Sequence, residues 1–214
     1  VNDLSGGLMP VVNWYAPDLT SDRETGLAST PLAEIVRLLQ TGSSAQAQTS
    51  GPMAEVVQHG TQYMNPADLQ AMAVYLQSRA QKAPATDTPA ARAPVSLRVA
   101  EMGLKTYERH CAQCHGDQGQ GVRTSSGQVA YPALAGNRAV QLRDPTNLVQ
   151  MVLHGGYAPA TAGHPRPFGM PPFVLELDDR DIAAVLTHLR TQWGNQGGEG
   201  TAVQVNRLRA SQDP

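Results

Sequence analysis

Aromatic residues are scarce in this sequence: Phe, Trp and Tyr together make up only 5% of its 214 residues. This is little material for two self-sufficient hydrophobic cores, and it leaves room for an apolar cofactor as core material. The sequence has no uninterrupted run of about 18 apolar residues, which excludes a membrane-spanning helix. With a net charge of −2, it also lacks the global basic field that favours nucleic acid as a partner.

A conventional leader is absent as well. The sequence has no charged segment followed by an apolar one, and it begins with Val1 instead of Met. We therefore expect a chain that has been processed or is a fragment. Its length allows one large domain or two small ones.

Only two cysteines occur, and they lie close together in the sequence. Cys111 and Cys114 cannot make a disulfide framework, but Cys111-Ala112-Gln113-Cys114-His115 matches the C-x-x-C-H signature for attachment of c-type haem. Two thiols at this spacing can add to the two vinyl groups of the macrocycle, and His115 on the same helical turn offers an imidazole to the iron. Because such attachment takes place outside the cytoplasm, the motif also predicts a compartment.

Two other uses of the cysteine pair fit the sequence less well. A thioredoxin-like redox motif should lie in a βαβ pattern, and almost no strand signal is present. A zinc site needs a second pair of ligands at the usual spacing, and no further cysteine exists. The motif therefore favours haem.

The second axial ligand of the iron should lie downstream of the motif. The candidates are Met151, His154, His164, Met170 and His188. Met170 lies in Pro167-Phe168-Gly169-Met170-Pro171-Pro172-Phe173, a stretch too rich in Pro and Gly to be helical. A thioether in so stiff a loop can be held rigidly against a haem face. We predict Met170 as the sixth ligand, with His164 as the reserve.

Ordinary structural roles suit the other candidates. Met151 and His188 fall inside amphipathic helices, where a core Met and a helix His are the simpler interpretations. His154 lies at a helix end just before Gly155-Gly156, where a capping role is equally plausible. His110, directly before the motif, is expected to pack at the haem edge or to face solvent.

Helix signals recur in the same order in the two halves of the chain. Each half has a helix opened by Pro, an irregular stretch that contains a Met, and a helix with an apolar stripe. The matching pairs are Pro31 with Pro145, Met53 with Met170, and Leu69 with Ile182, spaced 114, 117 and 113 residues apart. The first half therefore looks like a second copy of the haem domain.

The first copy is incomplete, because the counterpart of its C-x-x-C-H would lie just before Val1. Met53 is then an axial ligand only if an upstream haem is present, and a core Met otherwise. We predict a partial cytochrome-like domain over 1–80, a Pro/Ala linker over 81–96, a complete haem domain over 97–195 and a polar C-terminal tail over 196–214. The tail is interpreted either as a short helix or as a disordered end.

The chain resembles the multi-haem c-type cytochrome subunit of bacterial membrane-associated dehydrogenases, which oxidise alcohols, aldehydes or gluconate in the periplasm. The resemblance covers nearly the whole chain. Its later part rests on Cys111–Gly116, Tyr131–Asn137, Asp144–Leu148, the loop around Met170, and Gln192–Asn195; its earlier part rests on Trp14–Thr20, Glu24–Leu27 and Gly51–Val57. The family has three haem domains in one polypeptide, whereas this sequence has a single C-x-x-C-H.

The resemblance implies an all-α fold of tandem class I cytochrome c-like domains. It implies haem c bound covalently to Cys111 and Cys114, with His115 and Met170 as axial ligands and Met53 as a ligand of a preceding haem. The region of Pro132 and Leu134 would pack on the proximal face, where the Pro132 carbonyl orients the axial His. These are expectations from the family.

The expected function is electron transfer from a periplasmic dehydrogenase subunit towards quinone or another carrier. The chain itself would not be an enzyme, since an iron with two axial ligands has no open site for substrate. Peripheral association with the outer face of the cytoplasmic membrane is expected from the family. The alternatives are a free-standing soluble cytochrome c carrier and an enzyme that acts at a five-coordinate haem.

Overall fold

The computed structural model describes residues 4–81 and 94–210. Most of the predicted Pro/Ala linker, residues 82–93, lies outside the described residues. The fold is mainly helical with small two-stranded ribbons, which confirms the prediction of an all-α protein. None of the described helices combines the length and the apolar content that a membrane span needs.

The chain divides into two compact units by its internal contacts. Unit 1 contains residues 1–88 and 157–169, and unit 2 contains residues 89–156 and 170–214. The domain boundaries expected from the sequence stay a prediction.

Unit 1 begins with a ribbon and continues with short helices. Strands β1 (Gly7–Met9) and β2 (Trp14–Ala16) are antiparallel, and Met9 pairs with Trp14. The helices are α1 (Asp22–Thr25), α2 (Leu32–Thr41), α3 (Pro52–His59) and α4 (Pro66–Arg79), with a 3-10 turn at Thr61–Tyr63. A small core lies mainly between α2 and α4 and consists of Leu27, Ile35, Leu39, Leu69 and Ala73.

The ends of these helices follow from capping chemistry. The Asn65 side chain accepts a hydrogen bond from the Asp68 amide and begins α4, as Asn at an N-cap commonly does. Gly42 ends α2 with a φ of 72°, a left-handed conformation that costs Gly little. Helix α2 begins at Leu32, with Pro31 as its N-cap, one residue later than the sequence predicts.

The sequence interpretation of the stretch around Met53 is wrong. Met53 lies in the first turn of α3 (Pro52–His59), not in an irregular segment. Pro52 is tolerated at a helix start because its missing N–H would have no intrahelical partner there. Ala54 and Val57 form the buried side of the helix. Met53 itself is 39% exposed, so it is not a core residue of the described fold.

Unit 2 contains the longer helices. They are α5 (Leu97–His110), α6 (Ala112–His115), α7 (Arg138–Gln141), α8 (Thr146–His154), α9 (Asp179–Thr191) and α10 (Ala202–Ala210). Asp178 begins α9 with a capping box shared with Asp181, an arrangement that satisfies the free amides of the first turn. Helix α10 lies in the predicted polar tail and buries Val205 completely.

The core of unit 2 forms between α9 and the three helices that pack against it, α5, α8 and α10. Its fully buried members include Tyr107, Leu153, Ile182, Leu186 and Val205. Helices α5 and α9 approach closely at Gly103, because a Cβ there would meet the backbone of Ala184. This contact fixes the end of α5, and with it the start of the cysteine motif.

Short ribbons occur beside these helices. Strands β3 (Val122–Arg123) and β4 (Val129–Tyr131) pair antiparallel, and β5 (Gly156–Tyr157) pairs with β6 (Gly169–Met170). The predicted ligand Met170 is therefore in extended backbone, as the Pro- and Gly-rich sequence around it indicates.

Candidate haem-binding site

The cysteine motif forms a single helical turn directly after α5. Helix α5 ends at His110, and the amides of Cys114 and His115 donate to the Cys111 carbonyl at 3.1 and 2.9 Å. Both cysteines are free thiols and partly buried. The two sulfurs and the imidazole therefore come from one rigid turn, as covalent attachment of a macrocycle requires.

Cys111 lies in an apolar environment and packs against the core of unit 2. Burial, with a smaller contribution from Cys114, raises the pKa of the Cys111 thiol to about 12. The neutral sulfur is favoured because a thiolate would lose hydration on burial. Such surroundings suit an apolar macrocycle.

His115 is held by a bond from its ring to the main chain. Its Nδ1 lies 2.8 Å from the Pro132 carbonyl oxygen. A carbonyl only accepts, so Nδ1 carries the proton and Nε2 keeps its lone pair. Burial lowers the pKa of His115, although the Pro132 bond opposes this shift. The result is a neutral imidazole with Nε2 available as a metal ligand.

Tyr107 and two glycines fix the chain around this histidine. The Tyr107 hydroxyl donates to the Gly116 carbonyl at 2.5 Å, and the Gly121 amide donates to the His115 carbonyl at 2.7 Å. Burial is the largest cause that raises the pKa of Tyr107 to about 12. The sequence predicts only that Tyr107, on the apolar face of its helix, faces the haem or the last helix, and it contains no signal for the bond to Gly116.

The loop after Pro132 is also tied to the motif. The amides of Leu134 and Ala135 both donate to the Gly119 carbonyl, at 2.7 and 2.9 Å. The Leu134 side chain packs against the core of unit 2. Pro132 and Leu134 thus lie on the side of the motif that carries the His115 Nδ1 contact, as the resemblance implies.

Met170 lies in unit 2 and packs against the same hydrophobic core as Cys111 and Leu134. The chain around it is closely fastened. Gly155 approaches the Met170 carbonyl so closely that no Cβ would fit. Past the methionine, the Phe173 and Val174 amides donate to carbonyls at the end of α8, at 3.0 and 3.1 Å. These contacts hold Met170 in a defined backbone position.

The remaining candidates from the sequence have other surroundings. Met151 lies inside α8, and His154 is exposed at the end of that helix. His188 packs with Tyr107 and Trp193, at ring centroid distances of 5.3 and 5.2 Å. His164 belongs to unit 1, where its backbone closes a turn with Thr161.

His110 packs beside the segment that follows Met170, and the prediction that it lies at the haem edge or faces solvent stays a prediction. Its ring makes an edge contact with Phe173 at 5.7 Å between centroids. Its Nδ1 lies 3.8 Å from a carboxylate oxygen of Glu176. His110 is thus partly buried against the segment that follows Met170.

The donor set of unit 2 fits a c-type haem. It provides two reduced thiols three residues apart, a neutral imidazole whose free nitrogen is Nε2, and a thioether from a fixed loop. Soft thioether and imidazole donors are ligands that haem iron accepts.

Comparisons with known proteins agree with this chemistry. Residues 100–193 match the family described as cytochrome c. The chain is 34% identical over 116 residues to cytochrome c-552 of Thermus thermophilus, which covers 50% of this chain and 84% of that protein.

Longer matches involve larger proteins. The chain is 36% identical over 218 residues to the alcohol dehydrogenase (quinone) cytochrome c subunit of Komagataeibacter europaeus, covering 99% of this chain and 45% of that protein. It is 31% identical over 214 residues to the gluconate 2-dehydrogenase cytochrome c subunit of Pantoea cypripedii, covering 96% of this chain and 47% of that protein. The chain therefore spans less than half the length of these two dehydrogenase subunits.

Proposed function

The chain belongs to the cytochrome c family, and from this premise we propose that it transfers electrons, one at a time, as part of a dehydrogenase complex. Members of this family bind haem c covalently, and the free cysteine pair in unit 2 supplies the thiols for it. The bound haem supplies a one-electron couple between ferric and ferrous iron.

Four side chains of unit 2 have specific parts in this proposal. Cys111 and Cys114 would hold the haem through thioether links, and His115 and Met170 would ligate its iron. The observation that carries the proposal is the 2.8 Å contact between His115 Nδ1 and the Pro132 carbonyl. It fixes the tautomer that presents Nε2 to a metal, which is the usual arrangement of a ligating histidine.

The chain's own residues then set the properties of the site. The Pro132 carbonyl makes the His115 imidazole a stronger donor, which favours ferric iron. The Met170 thioether acts in the opposite direction and raises the reduction potential. The apolar core around Cys111, Leu134 and Met170 keeps water away from both ligands. With two protein ligands no coordination position is left for substrate, so the chemistry is outer-sphere electron transfer.

The partner in this proposal is a dehydrogenase catalytic subunit. Support comes from relatives that match 92–99% of this chain and are named as cytochrome subunits of alcohol, fructose and gluconate dehydrogenases. Electrons would pass onwards to quinone or another carrier. The proposed location is the periplasm, at the outer face of the cytoplasmic membrane.

In the same proposal, Met53 ligates iron only if a haem is bound upstream of this chain. It lies in the first turn of α3 and is 39% exposed. In a longer protein with an upstream haem, Met53 would be an axial ligand of that haem. The haem content of the intact protein decides this point.

The experiment is purification of the intact protein from its own host, with its mass and its haem-to-protein ratio measured. We expect a larger dehydrogenase subunit to copurify, and an alcohol, sugar or sugar acid to reduce the haem in that preparation. A haem protein that purifies without a catalytic subunit would instead be a free-standing carrier. A high-spin spectrum without an iron–thioether band would contradict the assignment of Met170.

The same measurement of haem content tests Met53 as a ligand of an upstream haem. One haem on this chain would leave Met53 without an iron. Two or more haems on a heavier chain would support Met53 as a ligand.

A further inference from the structure

Asn195 is a buried side chain whose amide is fully hydrogen-bonded. It is only 5% exposed. Its Nδ2 donates to the carbonyls of Leu134 and Leu189 at 3.0 and 2.7 Å, and its Oδ1 accepts from the Gly136 amide at 2.9 Å. One amide thus joins the end of α9 to the loop 134–136.

That loop begins two residues after Pro132, whose carbonyl accepts from His115. The loop is fastened on its other side by the Gly119 carbonyl, which accepts from the Leu134 and Ala135 amides. The Trp193 ring lies against Gly119 so closely that no Cβ would fit there. Trp193 and Asn195 belong to the same short turn. Trp193 packs against Gly119, and Asn195 bonds the loop 134–136 directly.

The turn itself has an unusual backbone. Trp193 has a φ of 54° and Gly194 a φ of 80°. The left-handed region is unfavourable for a bulky residue, because its Cβ lies too close to the following carbonyl oxygen. Such a conformation persists where surrounding contacts impose it, and here those contacts are the Trp193 ring on Gly119 and the three bonds of Asn195.

We propose that Asn195 is a positioning residue for the axial histidine, which rests on the proposed electron-transfer function. By holding the 134–136 loop, it fixes the Pro132 carbonyl at hydrogen-bonding distance from His115 Nδ1. A strong bond at Nδ1 makes the imidazole a better donor and stabilises ferric iron. A looser loop weakens that bond and shifts the reduction potential to more positive values.

The test uses the intact haem-loaded protein with Asn195→Ala. We expect a more positive reduction potential and several-fold faster solvent exchange of the His115 Nδ1 proton, followed by NMR in the ferrous state. The reduction potential reports on the histidine bond, whereas proton exchange also follows opening of the fold, so a control variant with a similar loss of stability is needed.

The matched control is Thr187→Val, in α9. The buried Thr187 hydroxyl donates to the Ala183 carbonyl and accepts from the Gly200 amide at 3.0 Å. This variant therefore also loses buried polar contacts at α9, but away from the Pro132 loop. We expect it to lower the unfolding free energy and to leave the potential and the proton exchange unchanged.

A second variant, Asn195→Asp, covers the case in which Asn195→Ala does not fold. Its carboxylate can still accept from Gly136 but cannot donate to Leu134 or Leu189. Since the added charge itself changes the potential, proton exchange at His115 is the measurement here, and we expect it to be faster.

Unchanged Nδ1 exchange in the folded variants would overturn the proposal, as would an equal change in Thr187→Val. A wild-type protein without histidine-ligated haem would instead contradict the proposed function. The two failures are thus distinguishable.

Discussion

Met170 is fixed by its neighbours on both sides, and the clearest prediction at the residue scale concerns its sulfur. Replacing it with Ala removes the proposed sixth ligand while Gly155 and the Phe173 amide keep the backbone in place. In the haem-loaded Met170→Ala protein we expect complete loss of the iron–thioether absorption band. The reduction potential should fall, because Met ligation raises it.

The control for this variant is Met151→Ala, in α8. Met151 is another methionine of unit 2, and its sulfur lies 3.7 Å from where a Cβ at Gly156 would be. Its loss should leave the iron–thioether band intact. A band that survives in Met170→Ala and disappears in Met151→Ala would show that the ligand was assigned to the wrong methionine.

His188 gives the second prediction at this scale. Burial lowers the pKa of His188, and Glu108 opposes that shift. The unfolded chain therefore binds a proton at mildly acidic pH more readily than the folded one does. The contribution of neutral His188 to the free energy of unfolding is fully present above the unfolded pKa of about 6.5. It is lost as the pH falls below that value.

The measurement compares urea unfolding at about pH 7.5 and about pH 5.5, in the window where an unfolded histidine gains its proton. The variant His188→Phe keeps a ring against Tyr107 and Trp193 but cannot titrate. We expect it to lose less stability on acidification than the wild type. Equal slopes for wild type and His188→Phe would contradict the prediction.

The sequence predicts individual residues well where the chemistry is local. The C-x-x-C-H spacing predicts the single turn that brings Cys111 and His115 together, and the structure has that turn. Asn195 could not be found in this way, because its partners Leu134 and Gly136 are 61 and 59 residues away. Its sequence neighbourhood contains no signal for a contact at that distance.

Helices α5 and α9 cross closely at Gly103, which has no side chain to separate them. A Cβ at Gly103 would meet the Ala184 carbonyl and the His188 Cβ. Since the Ala184 atoms are backbone, the helices themselves would have to move apart. We expect Gly103→Ala to lower the unfolding free energy by about 1–3 kcal/mol, in spite of the higher helix propensity of Ala.

Chemical denaturation measures this loss directly. Gly163→Ala is the matched control, because nothing lies within 4 Å of the Cβ it would add. That variant should stay within about 0.5 kcal/mol of the wild type. A Gly103→Ala protein as stable as the control would contradict the close crossing.

Helix positions follow from periodicity and capping residues for most of the chain. Asn65 and Asp178 begin α4 and α9, and both residue types favour this position because an N-cap acts on amides two or three residues away. The repeat misled the interpretation of Met53: its counterpart Met170 is in extended backbone, whereas Met53 is in α3. Equal spacing does not impose equal backbone structure when Pro52 can begin a helix and Gly169 cannot stabilise one.

For the whole molecule, the placement of residues 157–169 in unit 1 leads to a prediction about local opening. The Ala160 amide donates to the Gln58 side chain at 3.1 Å, and the Ala160 carbonyl accepts from Gln62 at 3.0 Å. Removing one of these bonds exposes the Ala160 amide. We expect Gln58→Ala to increase its hydrogen exchange rate several-fold, since exchange follows local opening.

Two controls make this test specific. The Phe173 amide, bonded to the Val152 carbonyl, should exchange at the same rate in Gln58→Ala as in the wild type. The variant Gln77→Ala loses side-chain bonds to Leu27 and Thr30 and should leave the Ala160 amide unchanged. Unaltered exchange of Ala160 in Gln58→Ala would contradict the contact.

The assignment of residues 157–169 could not come from the sequence. The expected domain over 97–195 follows the chain continuously, whereas Ala160 is bonded to a side chain 102 residues earlier. Composition and periodicity describe neighbours along the chain and contain no information on such a contact.

The same placement has a practical consequence for dissecting the molecule. Because unit 1 takes part of its structure from each of two stretches separated by residues 89–156, no single cut in the polypeptide gives both units whole. A fragment that starts in the linker would carry residues 157–169 without the rest of unit 1. Two of these residues, Pro159 and Thr161, are buried in the structure. Such a cut divides unit 1 between the two fragments. They are therefore suited to split-protein reconstitution, in which unit 1 is complete only when both fragments are supplied.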